Sequence, residues 1–212
     1  MSRKELSWLV VALALAFTLG AWLRWSALPG QETGDNQTVI ALLADHTAPS
    51  QGPADASVTM VLFTDYQCPA CRLSDGAMRH ALAEDPDVRL VYRDLPVFGP
   101  ESEAAARVAL AARYQGLYAP VHAALMRGPA RTDAMARRRA VEQAGGNWAR
   151  LQADLATHRA AIEAELARTR HDAMTIGARG TPTYLIGRRR IEGALSQRQF
   201  ARAFATARDE AR

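Results

Sequence analysis

The chain has 212 residues, 49% of them hydrophobic, 23% charged and only 7% aromatic, with 43 alanines and a formal charge of +4. That is enough apolar material for one domain with its own core, which excludes a disordered chain, and the alanine content leans helical. Without residues 1–24 the charge falls to +2, too balanced for a nucleic-acid footprint. Two cysteines, Cys68 and Cys71, exclude a disulfide-dense scaffold and a four-thiolate zinc site.

Residues 6–23 (LSWLVVALALAFTLGAWL) are free of charge, preceded by Arg3 and Lys4 and closed by Arg24. At 1.5 Å per residue the run reaches about 27 Å as a helix, enough to cross the hydrocarbon core. The basic side belongs in the cytoplasm, which places the rest of the chain outside it. Residues 1–25 therefore read as an uncleaved single-pass anchor. The rival is a signal peptide that leaves a soluble extracytoplasmic protein, with Thr18-Leu19-Gly20 as the candidate cleavage site. Residues 26–53 read as a polar tether and lead-in, with a short helix expected over Val39–Leu43.

The β-branched run Val58–Phe63 predicts a buried strand, followed by a turn at Asp65-Tyr66-Gln67. A helix is expected from the cysteines to about Glu84, where Asp85-Pro86-Asp87 stops it, and Val88–Tyr92 is the next strand. Helical periodicity then fills the stretch from Pro100 to Ile176, as Glu101–Tyr114, Tyr118–Met126, Asp133–Gln143, Trp148–Thr157 and His158–Ile176. Thr183–Ile186 and Arg190–Glu192 predict two short strands around Gly187, and a last helix runs from Ser196 to about Arg208. The arginine runs 137–139 and 188–190 read as solvated surface. The order is βαβ, a helical block, then ββα, an α/β fold occupying residues 54–212 with the insertion at about 100–178.

Cys68-Pro69-Ala70-Cys71 follows a buried strand and opens a helix. A thiol there meets unpaired backbone N–H groups and the positive end of the helix dipole, which favour the thiolate. Pro69 at the first turn needs no N–H and presets φ. The i, i+3 spacing brings Cys71 beneath Cys68, where it can resolve a mixed disulfide. Redox exchange is the leading reading of this pair. A structural staple closes too short a loop to stabilise much. A copper or zinc module using both thiols as soft ligands is the alternative of another class, and no histidine spacing completes its site.

Phe63–Cys71 (FTDYQCPAC) resembles the active-site strand and helix of the DsbA-like family of thiol–disulfide oxidoreductases. Tyr92–Pro96 (YRDLP) is similar to that family's second strand and exit, and Gly180–Tyr184 (GTPTY) to its cis-proline loop. The resemblance covers roughly residues 54–210 and implies a thioredoxin-like fold with an inserted helical block. It implies Cys68 as the exposed nucleophile, Cys71 as the buried resolving thiol and Pro182 as the cis-proline facing them. From its own residues Thr181-Pro182 reads equally as cis or trans. The carbonyl of Thr181 is then expected to offer a strand-like edge to substrate backbone, with Pro69, Ala70 and Tyr66 modulating the site. Tyr66, Tyr184 and Leu185 are the candidates for an apolar surface that meets unfolded substrates.

No cofactor is expected, because the dithiol is itself the redox centre. The implied partners are substrate proteins with cysteine thiols or disulfides and a quinone-linked membrane protein that reoxidises the pair; a reductase or isomerase fed with electrons from the cytosol is the alternative. Two departures stand out. Pro69-Ala70 replaces the Pro-His of strongly oxidising members, which predicts a weaker oxidant. Leu62 occupies the position, six before the first cysteine, where many relatives carry a buried acid that moves the proton of the resolving thiol. Asp65 is close by but is expected to belong to the turn.

Overall fold

The computed structural model describes Trp8, residues 16–18 and residues 30–211. The expected anchor at 6–23 and the start of the tether lie, those four residues aside, outside the described residues. Among the described residues no helix is long and apolar enough to cross a membrane.

Six strands are described: β1 (Gln31–Glu32), β2 (Ser50–Gln51), β3 (Val58–Thr64), β4 (Val88–Asp94), β5 (Thr183–Ile186) and β6 (Arg189–Glu192). They form one sheet in the order β1-β6-β5-β3-β4-β2, parallel between β3 and β4 and antiparallel elsewhere. The helices are α1 (Gln37–Leu43), α2 (Pro69–Glu84), α3 (Pro100–Ala112) with a 3₁₀ turn at Arg113–Gln115, α4 (Tyr118–Arg127), α5 (Ala134–Gln143), α6 (Trp148–Thr157), α7 (Arg159–Thr175) and α8 (Gln197–Glu210). The result is a thioredoxin-like α/β fold in which α3 to α7 form the inserted block.

Strand β3 is apolar along its length because both of its faces are covered. Met60 and Leu62 point into the larger core with Leu90, Tyr92, Tyr184 and Ile186, beneath α2, α8 and the helical block. Val61 and Phe63 point the other way, packing with Val91 and Leu185 against Val39 and Leu42 of α1 and Ala173 of α7. This period-2 split leaves the carboxyl end of β3 as the exit into the active-site turn. Register sets Leu62 between Tyr92 on β4 and Tyr184 on β5.

Helix α2 starts at Pro69 with Cys68 as its N-cap. Helix α8 starts in a capping box between Ser196 and Gln199. The β5–β6 hairpin turns through Gly187, whose φ of +54° suits glycine.

Three expectations need correction. The lead-in at 26–53 is more than a tether: β1 adds an edge strand beside β6 and β2 one beside β4, each only two residues long. Of the arginines at 188–190, Arg188 is solvated as expected, but Arg189 and Arg190 are only 15% exposed, because that edge strand brings partners to them. Arg188 pairs with Asp35, Arg189 with Glu32 and Glu210, and Arg190 bonds Gln31. Tyr66, Tyr184 and Leu185 form no surface; each is at most 1% exposed, because the helical block, α2 and α1 close over the two sheet faces.

Leu185 is fully buried in the smaller core. Leu185→Ala is expected to cost about 3 kcal/mol through lost transfer energy and a residual cavity. Urea unfolding at constant m-value measures it, and a loss below about 1 kcal/mol would contradict the packing described.

Candidate active site

The site is built on one hinge, the turn between β3 and α2. The carboxylate of Asp65 accepts from the Gln67 N–H (2.7 Å), the Ser102 hydroxyl (2.6 Å) and the backbone N–H groups of Val97 (2.6 Å) and Phe98 (3.1 Å). Its own carbonyl accepts from the Cys68 N–H at 3.2 Å. One side chain therefore ties the turn before the cysteines to the loop after β4 and to the start of α3. It is committed to structure and is not free to take a proton from a thiol.

Arg72 holds the turn from the other side. Its guanidinium donates to the carbonyls of Tyr66 and Leu125, both at 3.0 Å, and to that of Gly128. The first turn of α2 is thus fastened to α4 of the helical block.

Held this way, Cys68 sits at the mouth of α2. Its Sγ accepts from the Cys71 N–H at 3.4 Å and lies 3.1 Å from the Thr181 carbonyl oxygen, to which its S–H donates. The Thr181-Pro182 bond is cis, and both cysteines are free thiols. Sequence reasoning is corrected on one point: Cys68 is only 2% exposed, because the Thr181-Pro182 loop roofs it. Cys71 is buried as well, 3% exposed, and burial pushes its thiol up to about 12, against the pull of the Asp65 backbone and the Thr64 side chain. Pro69 occupies the first position of α2 and Ala70 packs at the edge of the core. The pair, its two intervening residues and the Thr181-Pro182 loop are thus brought together at one end of the sheet. Tyr66 is turned inward to the helical block.

Under Cys71 the structure places polar residues that the sequence reading did not single out. Asp75, one turn after Cys71 on α2, is buried, with Oδ2 3.0 Å from Arg79 Nε. Its Oδ1 lies 3.9 Å from Nε2 of His122 on α4. Nδ1 of His122 meets the Tyr66 hydroxyl at 3.1 Å, and the Tyr118 hydroxyl donates to Asp94 at 2.9 Å. Burial pushes His122 down to about 4 and Asp94 up to about 7, the latter against hydrogen bonds from Tyr66 and Tyr118. The i, i+4 spacing from Cys71 was a legible signal for Asp75; nothing local marks His122. Among the described residues no group of three or more histidine, cysteine, aspartate or glutamate side chains is placed to hold a metal ion.

The protein-family model described as "DSBA-like thioredoxin domain" matches residues 59–205. Among solved structures, the chain is similar to a thioredoxin-like oxidoreductase from Silicibacter pomeroyi DSS-3, with 35% identity and a TM-score of 0.75 over 80% of this chain and 96% of that one. It is also similar to a periplasmic thioredoxin-like protein from Salmonella enterica serovar Typhimurium, with 26% identity and a TM-score of 0.73 over 82% and 98%. The fold alone is shared with the thiol-disulfide exchange protein alpha-DsbA2 from Wolbachia pipientis, at 23% identity and a TM-score of 0.76 over 85% and 95%. Curated relatives include the Na(+)/H(+) antiporter NhaA 3 of Salinispora tropica, 32% identical over 95% of this chain and 31% of that protein. The chain spans about a third of the length of the curated relatives it matches.

Asp94 supplies a pH test of the buried network. Its ordinary value is 3.8 and its folded value about 7, so the native state retains a proton the unfolded chain has lost between those limits. Stability falls as pH rises through that window. Wild type is expected to lose more stability than Asp94→Asn between about pH 4 and pH 7, read by urea unfolding of both proteins. Parallel stability curves would contradict the assignment.

Proposed function

The chain belongs to the DSBA-like thioredoxin domain family, a family of thiol–disulfide oxidoreductases, and from that premise we propose that it oxidises cysteine pairs in substrate proteins through Cys68 and Cys71. The observation that carries the reading is the placement of Cys68 as the N-cap of α2, with Sγ between the Cys71 amide and the Thr181 carbonyl.

With the pair oxidised, a substrate thiolate attacks Sγ of Cys68. A bond forms between the two sulfurs, the Cys68–Cys71 bond breaks, and its electron pair leaves on Cys71. A second substrate thiolate then attacks the substrate sulfur of the mixed disulfide and releases Cys68 as a thiolate. The substrate gains a disulfide and the protein is left with a dithiol. The amide of Cys71 is in place to donate to the charge that develops on Cys68. Thr181 offers its carbonyl to the substrate backbone once Sγ–H gives it up.

Substrate contact outside the cysteines falls to Leu73, 78% exposed on α2, and to half-exposed Val97 and Phe98. Those two hang from the same Asp65 carboxylate that positions Cys68. They replace Tyr66, Tyr184 and Leu185 as the apolar surface for unfolded chains.

The proposal places this domain on the extracytoplasmic side, tethered by the apolar run at 6–23, with a quinone-linked membrane protein accepting the electrons. The basic residues before that run and the similarity to a periplasmic protein support this placement.

Cys68→Ser is expected to abolish exchange with a dithiol peptide, and Cys71→Ser, offered the disulfide form of that peptide, to accumulate a covalent mixed disulfide between Cys68 and one peptide sulfur as the other leaves as a thiol, visible by non-reducing mass analysis. Undiminished turnover in Cys68→Ser would overturn the mechanism.

A further inference from the structure

Cys71 must gain a proton when it leaves and lose it when it attacks, yet it is buried and Leu62 offers nothing to hold that proton. Asp65 is saturated by its four donors. On the floor of the site, Cys71, Asp75, His122, Leu62 and Pro182 border one cavity of water-molecule size. Asp75 and His122 each bring to it one polar atom with no hydrogen-bond partner among the described residues, Oδ1 and Nε2, and the two residues are 6% and 2% exposed. Buried polar atoms left unpaired are costly, of the order of 1–3 kcal/mol each, so two of them converging beside a buried thiol point to a function.

We propose that Asp75, backed by His122, holds the proton of Cys71 and returns it, filling the place in the reaction that Leu62 leaves empty. The inference rests on the exchange activity proposed above. When the Cys68–Cys71 bond breaks, the departing electron pair on Cys71 takes the proton held on Oδ1 of Asp75, which faces Nε2 of His122 at 3.9 Å. When the pair is reoxidised, Cys71 gives that proton back, and its thiolate attacks the disulfide that joins Cys68 to the oxidant. The proton therefore shuttles between one sulfur and one carboxylate–imidazole pair without entering solvent. His122 is kept neutral by its burial and is oriented through Nδ1 by Tyr66, which leaves Nε2 directed at the carboxylate. Arg79 and Arg72 on α2, Tyr92 on β4 and Tyr184 on β5 are the other charged or titratable groups facing Asp75. Of these, Arg79 engages only Oδ2 and so leaves Oδ1 free for the proton. Asp75 acts on the reacting sulfur as its acid and base, and His122 acts through Asp75, as a positioning residue.

The test forms a mixed disulfide between Cys68 and glutathione and follows glutathione release by Cys71 as a function of pH. In wild type the release rate is expected to level off near neutral pH, since an internal group accepts the proton. Asp75→Asn is expected to slow release on the order of a hundredfold at neutral pH. The deficit should shrink as pH rises and hydroxide takes over, while alkylation of Cys68 stays within about twofold of wild type. Equal slowing at every pH, or no slowing, would overturn the proposal. Should Asp75→Asn fail to fold, the wild-type profile decides alone: a tenfold rise per pH unit from acid to alkaline pH would mean that hydroxide is the base, and the proposal fails. Asp75→Asn releasing glutathione as fast as wild type would leave the exchange reading intact. No release by wild type at any pH would remove both.

Discussion

The arrangement depends on the carboxylate of Asp65. Four donors from three segments converge on it, and its carbonyl takes the N–H of Cys68. Charge-assisted hydrogen bonds of this kind are among the stronger local restraints a fold can use. They fix where β3 ends, so that Cys68 arrives at the helix mouth as the N-cap. They also hang the loop bearing Val97 and Phe98 beside the nucleophile. With Arg72 locking the first turn of α2 to the helical block, the thiol is held from two sides before any substrate arrives, which is the preorganisation that exchange at a defined sulfur requires.

The two thiols, three residues apart and both buried, have different neighbours because Cys68 caps α2 while Cys71 lies within its first turn. Cys68 meets an amide and a carbonyl at the sheet end. Cys71 faces Thr64, Pro182 and the floor of Asp75 and His122, where burial makes its ionised form costly. A buried leaving group of that kind needs a local proton carrier. In the proposal that carrier is Asp75 on α2, and the helical insertion backs it through His122 on α4, so the block also helps build the redox site, beyond covering one face of the sheet.

Much of the framework was legible in the chain. β3 is covered on both faces and so reads as a nearly continuous apolar run, β4 shows in Val88, Leu90, Val91 and Tyr92 despite its buried arginines, and Pro69 after a cysteine marked the start of α2. β1 and β2 were not legible: a two-residue strand has no period, and Gln31 and Ser50 join the sheet only because tertiary packing brings β6 and β4 alongside. Tyr66 was misplaced because its neighbours in sequence are a turn and the cysteines, whereas its neighbours in space are His122 and Tyr118. Asp75 shares a helix face with Cys71 and was within reach of a spacing argument. His122 is 47 positions further on, and only the folded topology delivers it.

The central claim, that the Cys68–Cys71 pair works as an oxidant of protein thiols, is tested most directly by its equilibrium reduction potential against glutathione in the intact chain. With Pro69-Ala70 between the cysteines, the account predicts a value clearly more oxidising than thioredoxin's, about −270 mV, and short of the strongest known protein oxidants at about −120 mV. A potential at or below about −270 mV would contradict it.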